Sequence, residues 1–353
     1  MIVPYPLTNQ TYGKKLREIL TSRFNLYELT DLRGTKVFES AVVENCIAFI
    51  KKQSPCNTLT ISGIDDNLTI TQDFQKPYTE LIQDSKTQVW NTTQEQRNSS
   101  RHDDLNILGD FCYISYGLRP NSDEKKAKGE FKKEDLISNT QDEIHCKPYI
   151  EAKDFEKYRI KRVRYLEYNT ERSPKKLVRP TFPELYTHTK IICNRLGELS
   201  AQLCPQGILH NDSIISSVLW NNLFGVENRS IKDSIKRYSR FDRQTMEKLS
   251  QSMNLKYILG ILNSKYATKL LANLRGDDYH IYPEHIRNLP IPKITESNQL
   301  IADKIITLVE KILEQKEQNP SSSTQELESQ IDSLVYTLYA LTPEEISIIE
   351  GRE

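Results

Sequence analysis

The apolar positions change period along the chain. Ile2-Val3-Pro4 reads as the end of a buried strand, and Leu16, Ile19 and Leu20 then recur at helical spacing, predicting a helix over 13–20. Leu26–Leu32 and Ala41–Ile50 read as two strands joined by a turn at Gly34. The second, AVVENCIAFI, has the continuous, β-branched character of a strand covered on both faces. One helix with a few strands is too little to cover a sheet, so residues 1–52 read as part of an α/β layer, the alternative being a small self-contained α/β cap. Leu59–Ile70 predicts a short hairpin turning at Asp65-Asp66-Asn67, and the polar stretch 91–104 predicts a linker, giving a second piece over 53–104.

From 105 to 296 short strand-like and helix-like runs alternate. YISYGLRP places Gly117 at a strand end, and TKIICNRLG (189–197) and SIISSVLW (213–220) read as strands. LKYILGILNSKYATKLLANL (255–274) repeats at helical intervals and predicts a helix pair or a bent helix, and LPIPK an extended segment between prolines. In 297–353, Ile301, Ile305, Leu308 and Ile312 form one helical stripe and Leu327, Ile331, Leu334, Leu338 and Leu341 another. Asn319-Pro320-Ser321-Ser322-Ser323 breaks between them, so an antiparallel helical hairpin is expected.

Charge sharpens this division. The formal net charge of the 353 residues is zero, but 153–179 holds ten Lys/Arg against four Asp/Glu, net +6, whereas 298–353 holds four against eleven, net −7. The basic middle suits a polyanion and the acidic tail does not. With 37% hydrophobic and 27% charged residues the chain reads as globular and cytoplasmic. No apolar run approaches a membrane span, and no signal-peptide pattern opens it. The six cysteines form no C-x-x-C pair and have no histidine at ligand spacing, so no metal site is expected.

Candidate chemistry follows the charge. Lys153, Lys157, Arg159, Lys161, Arg162 and Arg164 are interleaved with Tyr158 and Tyr165, and Lys175, Lys176 and Arg179 follow after a loop. Such residues neutralise phosphates, which supplies affinity, while Arg and Asn at strand ends read base edges. Arg119 with Lys125, Lys126 and Lys128 in a loop, Asn194 and Arg195 at a strand end, and Arg275 and His280 before LPIP complete the candidate DNA-binding set. The bland alternative for each is a solvated surface: a helix face with a Glu156–Lys161 pair, a charged loop, or an Arg275–Asp278 ion pair. Asn263-Ser264 reads as a helix cap or bend. His210, Asp212 and Ser213 are sequence neighbours, unlike the distant members of a hydrolytic triad. Asp31, Glu39 and Glu44 with Lys51 or Lys52 lack nuclease spacing.

Several ordered segments together resemble the specificity region of the TaqI-like adenine-specific DNA methyltransferases, a family that includes single-chain (type IIG) restriction–modification enzymes. They are GLRP, KPYIEAKDFEKYRI, HTKIICNRLG, YILGILNSKYATKLL, IYPEHIRNLPIPKI and LESQIDSLVYTLYALTPEEISIIEG, over 117–351. The opening, MIVPYPLTNQTYGKKLREIL followed by VFESAVVENCIAFIKK, resembles the stretch after that family's catalytic loop. The resemblance implies that 1–52 is the C-terminal remnant of a methyltransferase sheet and 105–296 a target-recognition domain.

The family's glycine-rich loop for S-adenosylmethionine and its N-P-P-aromatic loop, which holds a flipped adenine, have no counterpart among these residues. The chain is therefore expected to hold no cofactor and no catalytic residues, with S-adenosylmethionine on a missing or partner catalytic domain. Whether the chain is itself an enzyme stays open.

The expected fold is mixed α+β: a partial α/β remnant, a mixed recognition domain and a C-terminal helical hairpin. The expected function is sequence-specific recognition of double-stranded DNA, with a methyltransferase or endonuclease partner chain and no membrane. The alternatives are an interaction module docking through the helical hairpin, or a methyltransferase subunit whose motifs lie on a partner.

Overall fold

The computed structural model describes residues 1–33, 35, 44–65, 67, 69–82, 88–92, 105–120, 131–171, 182–275 and 279–352. The fold is mixed α+β, in two compact units: Met1–Ser99, and Ser100–Arg275 together with Tyr279–Glu353.

The first unit is built on one mixed sheet. Its strands are β1 (Ile2–Pro4), β2 (Asn25–Asp31), β3 (Asn45–Lys51), β4 (Thr58–Ile64) and β5 (Ile70–Pro77), in the order β1-β3-β2-β4-β5. Only β2 and β4 run parallel. The β4–β5 hairpin, expected as a separate piece, extends this sheet beyond residue 52. β1 is an edge strand whose Val3 alone faces inward, rather than a buried strand. The polar β5 closes the other edge with Thr, Gln, Asp and Lys, residues that discourage pairing with a further chain. The expected turn at Gly34 lies outside the described residues, as does the expected linker over 91–104 except for Asn91 and Thr92, which are buried.

Helix α1 (Lys14–Ser22) covers the sheet, with α2 (Tyr78–Leu81) following β5. Its inward face is not the predicted apolar stripe, since Leu16 is exposed while Arg17 is fully buried beside Leu20. The Arg17 guanidinium donates to the carbonyls of Leu7, Gln10 and Gln88 at 2.5, 2.8 and 2.6 Å. Those irregular segments carry carbonyls that would otherwise be buried without donors, and one arginine satisfies all three. Burial lowers its pKa to about 10, so it stays charged at neutral pH.

The second unit is organised around an antiparallel sheet. In chain order its elements begin with β6 (Asn106–Ile107), α3 (Leu108–Phe111), β7 (Cys112–Tyr116), β8 (Ile137–Ser138), β9 (His145–Ile150), β10 (Phe155–Glu156), β11 (Arg159–Ile160) and β12 (Arg164–Glu167). They continue through β13 (Lys190–Asn194), β14 (Ala201–Cys204), β15 (Leu209–His210), β16 (Ile214–Leu219), α4 (Arg229–Tyr238) and α5 (Arg243–Gln251). The last are α6 (Leu255–Leu262), α7 (Lys265–Arg275), α8 (Pro283–Arg287), β17 (Pro290–Ile291), α9 (Gln299–Gln318), α10 (Gln325–Leu338) and α11 (Pro343–Glu350).

The central sheet has the order β14-β13-β16-β7, and a second sheet has the order β15-β9-β12-β8. Successive residues of β13 enter different cores: Ile191 and Cys193 join the cluster with Tyr257, Val309 and Val335, while Ile192 joins Ile150 and Ile214. Coverage of both faces explains why β13 carries the consecutive apolar residues Ile191, Ile192 and Cys193, and why β16 is buried along its whole length, its Ser216 and Ser217 included.

The predicted helix pair over 255–274 is α6 and α7, and its junction carries Asn263 and Ser264. Ser264 Oγ accepts from Ala267 N at 3.1 Å, and Asp332 Oδ1 of α10 accepts from Lys265 N at 2.8 Å. Two otherwise orphaned N–H groups of α7 are thereby satisfied, one locally and one by the tail. The expected tail hairpin is α9 and α10, with α11 added behind them. Ile305, Val309, Ile312, Ile331 and Val335 are buried in the same cluster as α6. Gly260 allows this approach, since a Cβ there would stand 2.6 Å from Ile305 Cγ2.

Candidate nucleic-acid interface

The basic middle segment is not a helix. It folds as the tight β10–β11 hairpin leading into β12. Tyr158, in the turn, has φ 61°, a region that costs a non-glycine residue about 1 kcal/mol. The strain is offset because its ring is buried in the main core, and its N–H donates to Ala201 O at 3.3 Å. Lys157 Nζ donates to Asn263 O at 3.2 Å. The hairpin is thus anchored by its turn and by Phe155, which is buried with Ile150 and Ile192, while Glu156 and Arg159 stay half-buried at its surface.

Behind it lies a buried charged node. Asp154 accepts from Arg162 Nε at 2.6 Å and from Arg164 Nε and Nη2 at 3.1 and 2.5 Å, and its Oδ2 also takes the Glu151 N–H at 2.9 Å. Glu151 accepts from Arg164 at 2.8 Å, Asn211 Nδ2 at 3.1 Å and Tyr149 Oη at 3.2 Å, and pairs with Lys133 and with Lys153, the latter at 3.1 Å. Burial would raise the Glu151 carboxyl, but Lys133, Arg164 and Lys153 outweigh it and hold the group at about 2. Asp154 is also lowered; burial opposes this, and the bonds from Arg162 and Arg164 prevail.

The node sorts the predicted residues. Arg164 is buried against both carboxylates, so the structure places it as an internal brace. Arg162 and Lys153 each hold one buried carboxylate while their side chains stay 54% and 62% exposed, leaving donors free to face solvent. Arg159 pairs with Glu156 at 3.4 Å beside them. Lys175, Lys176 and Arg179 lie outside the described residues, as do Lys125, Lys126 and Lys128.

A second cluster joins residues far apart in sequence. The turn after β13 is held by Asn194, whose Nδ2 donates to the carbonyls of Leu196 and Glu198, both at 2.6 Å, and whose Oδ1 accepts from Ser200 N at 2.7 Å. All of its side-chain groups shape the turn, which is the bland reading of that residue. Against the turn lies the segment before α8: Ile281 N donates to Arg195 O at 2.8 Å and Gly197 N to Tyr279 O at 3.1 Å. Arg275 Nη1 donates to Gly197 O at 2.6 Å. His280 is exposed and stacks at 6.0 Å on Tyr282. Arg195 lies 5.0 Å over the Tyr116 ring at the end of β7. The structure thus brings Asn194, Arg195, Arg275 and His280 together.

Gly117 explains the GLRP signal. A Cβ there would stand 2.2 and 2.3 Å from the carbonyl oxygens of His210 and Asn211, so only glycine lets β7 cross that backbone. Leu118 N then donates to His210 O at 2.9 Å, and Arg119 reaches Asp212 at 3.0 Å, half exposed. Asp212 is therefore not aimed at His210. Burial lowers His210 to about 3 and keeps it neutral, while Ser213 Oγ donates to Asn211 Oδ1 at 2.6 Å. The lysine of TKIICNRLG, Lys190, is likewise internal and donates to Ile208 O at 3.1 Å.

Asp31 is closed by Arg33, which bonds both its oxygens at 2.6 to 3.0 Å. Among the described residues no three His, Cys, Asp or Glu side chains converge as a metal set, and no helix is long and apolar enough to cross a membrane.

One group escaped sequence reasoning. Helices α4 and α5 carry Arg229, Lys232, Lys236, Arg237, Arg243 and Lys248, in a stretch with so few apolar residues that no element was predicted. The available signal was the caps: Asn228 and Asp242 each accept from an N–H three residues on, at 2.9 and 3.0 Å.

Neither a protein-family model nor a curated protein matches the sequence. Among solved structures, the chain is similar to the Type IIL restriction–modification enzyme MmeI in complex with DNA. The match has 9% identity and a TM-score of 0.53, and covers 99% of this chain and 48% of that one. It is also similar to the DrdV–DNA complex (9% identity, TM-score 0.46, 89% of this chain and 37% of that one). A third is a nuclease-deletion mutant of the Type ISP restriction–modification enzyme LlaGI in complex with a DNA substrate mimic (10% identity, TM-score 0.45, 89% and 34%). The chain spans about half the length of MmeI, and what the first likeness establishes is a fold shared with part of a restriction–modification enzyme.

Proposed function

We propose that this chain recognises double-stranded DNA for a restriction–modification system. The observation that carries the reading is the fold shared over 99% of the chain with part of a DNA-bound restriction–modification enzyme. The rigid mounting of basic side chains in the second unit supports it. Lys153 and Arg162 are held by buried carboxylates and Arg159 lies on the anchored hairpin, so exposed cations are offered with little conformational freedom left to lose. The clustered Arg195, Arg275 and His280 give a second point of contact, with Arg275 at the end of α7 bonded to the Gly197 carbonyl, and Arg119 gives a third.

In this reading the described chain supplies recognition, and S-adenosylmethionine and the methyl-transfer groups belong to other residues or to a partner chain. The base acted upon is adenine, which rests on the sequence resemblance. Against the docking alternative, Ile305, Leu308, Ile312 and Ile331 of the tail stripes are buried in this chain's own core, with Ile301, Leu327, Leu334, Leu338 and Leu341 packed half-buried against it.

The test is binding of mixed-sequence and selected duplexes by fluorescence anisotropy over a range of salt. Affinity should fall steeply with salt, and enrichment from a random duplex library should yield one sequence. Binding that is absent, or flat in salt, overturns the reading. Micromolar binding of S-adenosylmethionine by calorimetry would reassign the methyl-transfer site to this chain. N6-methyladenine formed when the chain is combined with its catalytic partner would support the adenine assignment, and a methylated cytosine would refute it.

A further inference from the structure

Helix α4 is two-faced. Ile231, Ile235 and Tyr238 turn inward, with Ile231 fully buried in a core containing Trp220 and Met246. On the opposite side Arg229, Lys232 and Lys236 recur at i, i+3 and i+7, which places them on one exposed stripe. At 1.5 Å per residue the stripe runs about 10 Å, the axial length of about three phosphates on one DNA strand. Arg229 and Lys232 make only exposed pairs, with Asp233 at 3.5 Å and Glu227 at 3.1 Å. Such pairs are worth about 0 to 1 kcal/mol and yield readily to a phosphate. Lys236 has no hydrogen-bond or ion-pair partner among the described residues.

Beside the start of this helix stands an apolar point that the core does not need. Leu223–Val226 is a tight turn closed by Val226 N donating to Leu223 O at 3.0 Å, with Gly225 at φ 74°. Its outer corner is Phe224, 78% exposed. Arg243, at the start of α5, clamps both ends of the turn: Nη2 donates to Leu223 O at 2.6 Å and Nη1 to Val226 O at 2.8 Å, while Nε is held by Glu247 at 2.8 Å. An aromatic ring exposed on a turn whose backbone is clamped in this way, five residues before a row of cations, matches a ligand with both negative charge and apolar surface.

We propose that the Arg229–Lys232–Lys236 stripe and the Phe224 turn form a second contact surface for duplex DNA. The stripe takes consecutive phosphates of one strand, and Phe224 packs on the adjoining sugars. The inference rests on the DNA-recognition reading but uses none of its residues. Contact with sugar and phosphate carries no base information, so this surface adds affinity and fixes orientation equally for every sequence.

The experiment uses the full chain and a mixed-sequence duplex of about 30 base pairs, long enough to carry several phosphate contacts on each face. The parent is compared with an Arg229→Gln/Lys232→Gln/Lys236→Gln variant, a Phe224→Ala variant, and a Lys153→Ala/Arg162→Ala variant of the first surface. The triple variant should lower the slope of log affinity against log salt by about 2 to 3, near 0.9 per phosphate lost. Phe224→Ala should weaken binding by about tenfold with the slope unchanged. Since these side chains are exposed, melting temperatures should match the parent; should the triple variant fail to fold, Lys236→Gln alone should still lower the slope by about 1.

Parent-like slope and affinity in both the stripe and Phe224 variants would overturn this inference while leaving the recognition reading intact, provided the Lys153/Arg162 variant loses binding. A loss confined to the stripe and Phe224 variants would support the second surface and move DNA recognition away from the hairpin. A parent that binds no duplex would overturn both.

Discussion

Replacing Glu151 by Gln would keep the shape of the buried node and remove its charge. The carboxylate is 6% exposed and faces Lys133, Lys153 and Arg164, so its loss leaves three cations with fewer compensating charges. A carboxyl held at about 2 against an ordinary 4.5 contributes about 3 kcal/mol of stability at neutral pH. The sign follows from proton counting. The folded carboxyl is the stronger acid, so below about pH 4.5 the unfolded chain binds more protons, and the contribution shrinks until it is gone near pH 2. Gln resembles the protonated carboxyl. The variant should therefore be about 3 kcal/mol less stable than the parent at about pH 7, and the gap should narrow as pH falls through about 4 to 3. Urea unfolding followed by circular dichroism at each pH measures it. A gap below about 1 kcal/mol at neutral pH, or one just as large at about pH 3, would refute the node as described.

Other changes probe the site and its scaffold. Lys153→Ala with Arg162→Ala should weaken duplex binding at every sequence and lower the salt slope by about 2, read by anisotropy, and should also lower the urea midpoint because each side chain pairs a buried carboxylate; Arg164→Ala, buried against both carboxylates, should lower the stability of the second unit by about 3 kcal/mol. Gly117→Ala drives a methyl group into the His210 and Asn211 carbonyls and should cost about 3 kcal/mol, seen as a lower urea midpoint. Gly260→Ala pushes α6 away from α9 and should cost about 1 to 3 kcal/mol by the same measurement.

The elements marked by a clear apolar pattern were legible in the sequence: β2, β13, β16, the α6–α7 pair and the tail hairpin begin within a residue or two of where the pattern put them. Helices α4 and α5 were not, because Ile231, Ile235 and Met246 are too sparse to set a period and the exposed faces are wholly polar. Nor could α1 show that Arg17 turns inward, since that follows from carbonyls of Leu7, Gln10 and Gln88, the last distant in sequence. The charge count over 153–179 located a basic region but could not separate Arg164, beneath the surface, from Arg162, on it. That distinction depends on Glu151 and Asp154 folding under the hairpin. The union of Asn194–Arg195 with Arg275–His280 depends on backbone pairing that no spacing encodes.

The Asn263 amide has a consequence for how the central sheet breathes. β14 ends the order β14-β13-β16-β7, and because this end strand is buried its outward backbone groups need partners from within the chain. At Ala201 those partners are supplied: Asn263 Oδ1 accepts its N–H at 2.9 Å, Asn263 Nδ2 donates to its carbonyl at 3.0 Å, and Tyr158 N–H shares that carbonyl. A single side chain imitates a neighbouring strand. Shortening it to Ala would leave the Ala201 N–H buried without a partner, and the first symptom expected is faster amide exchange along β14.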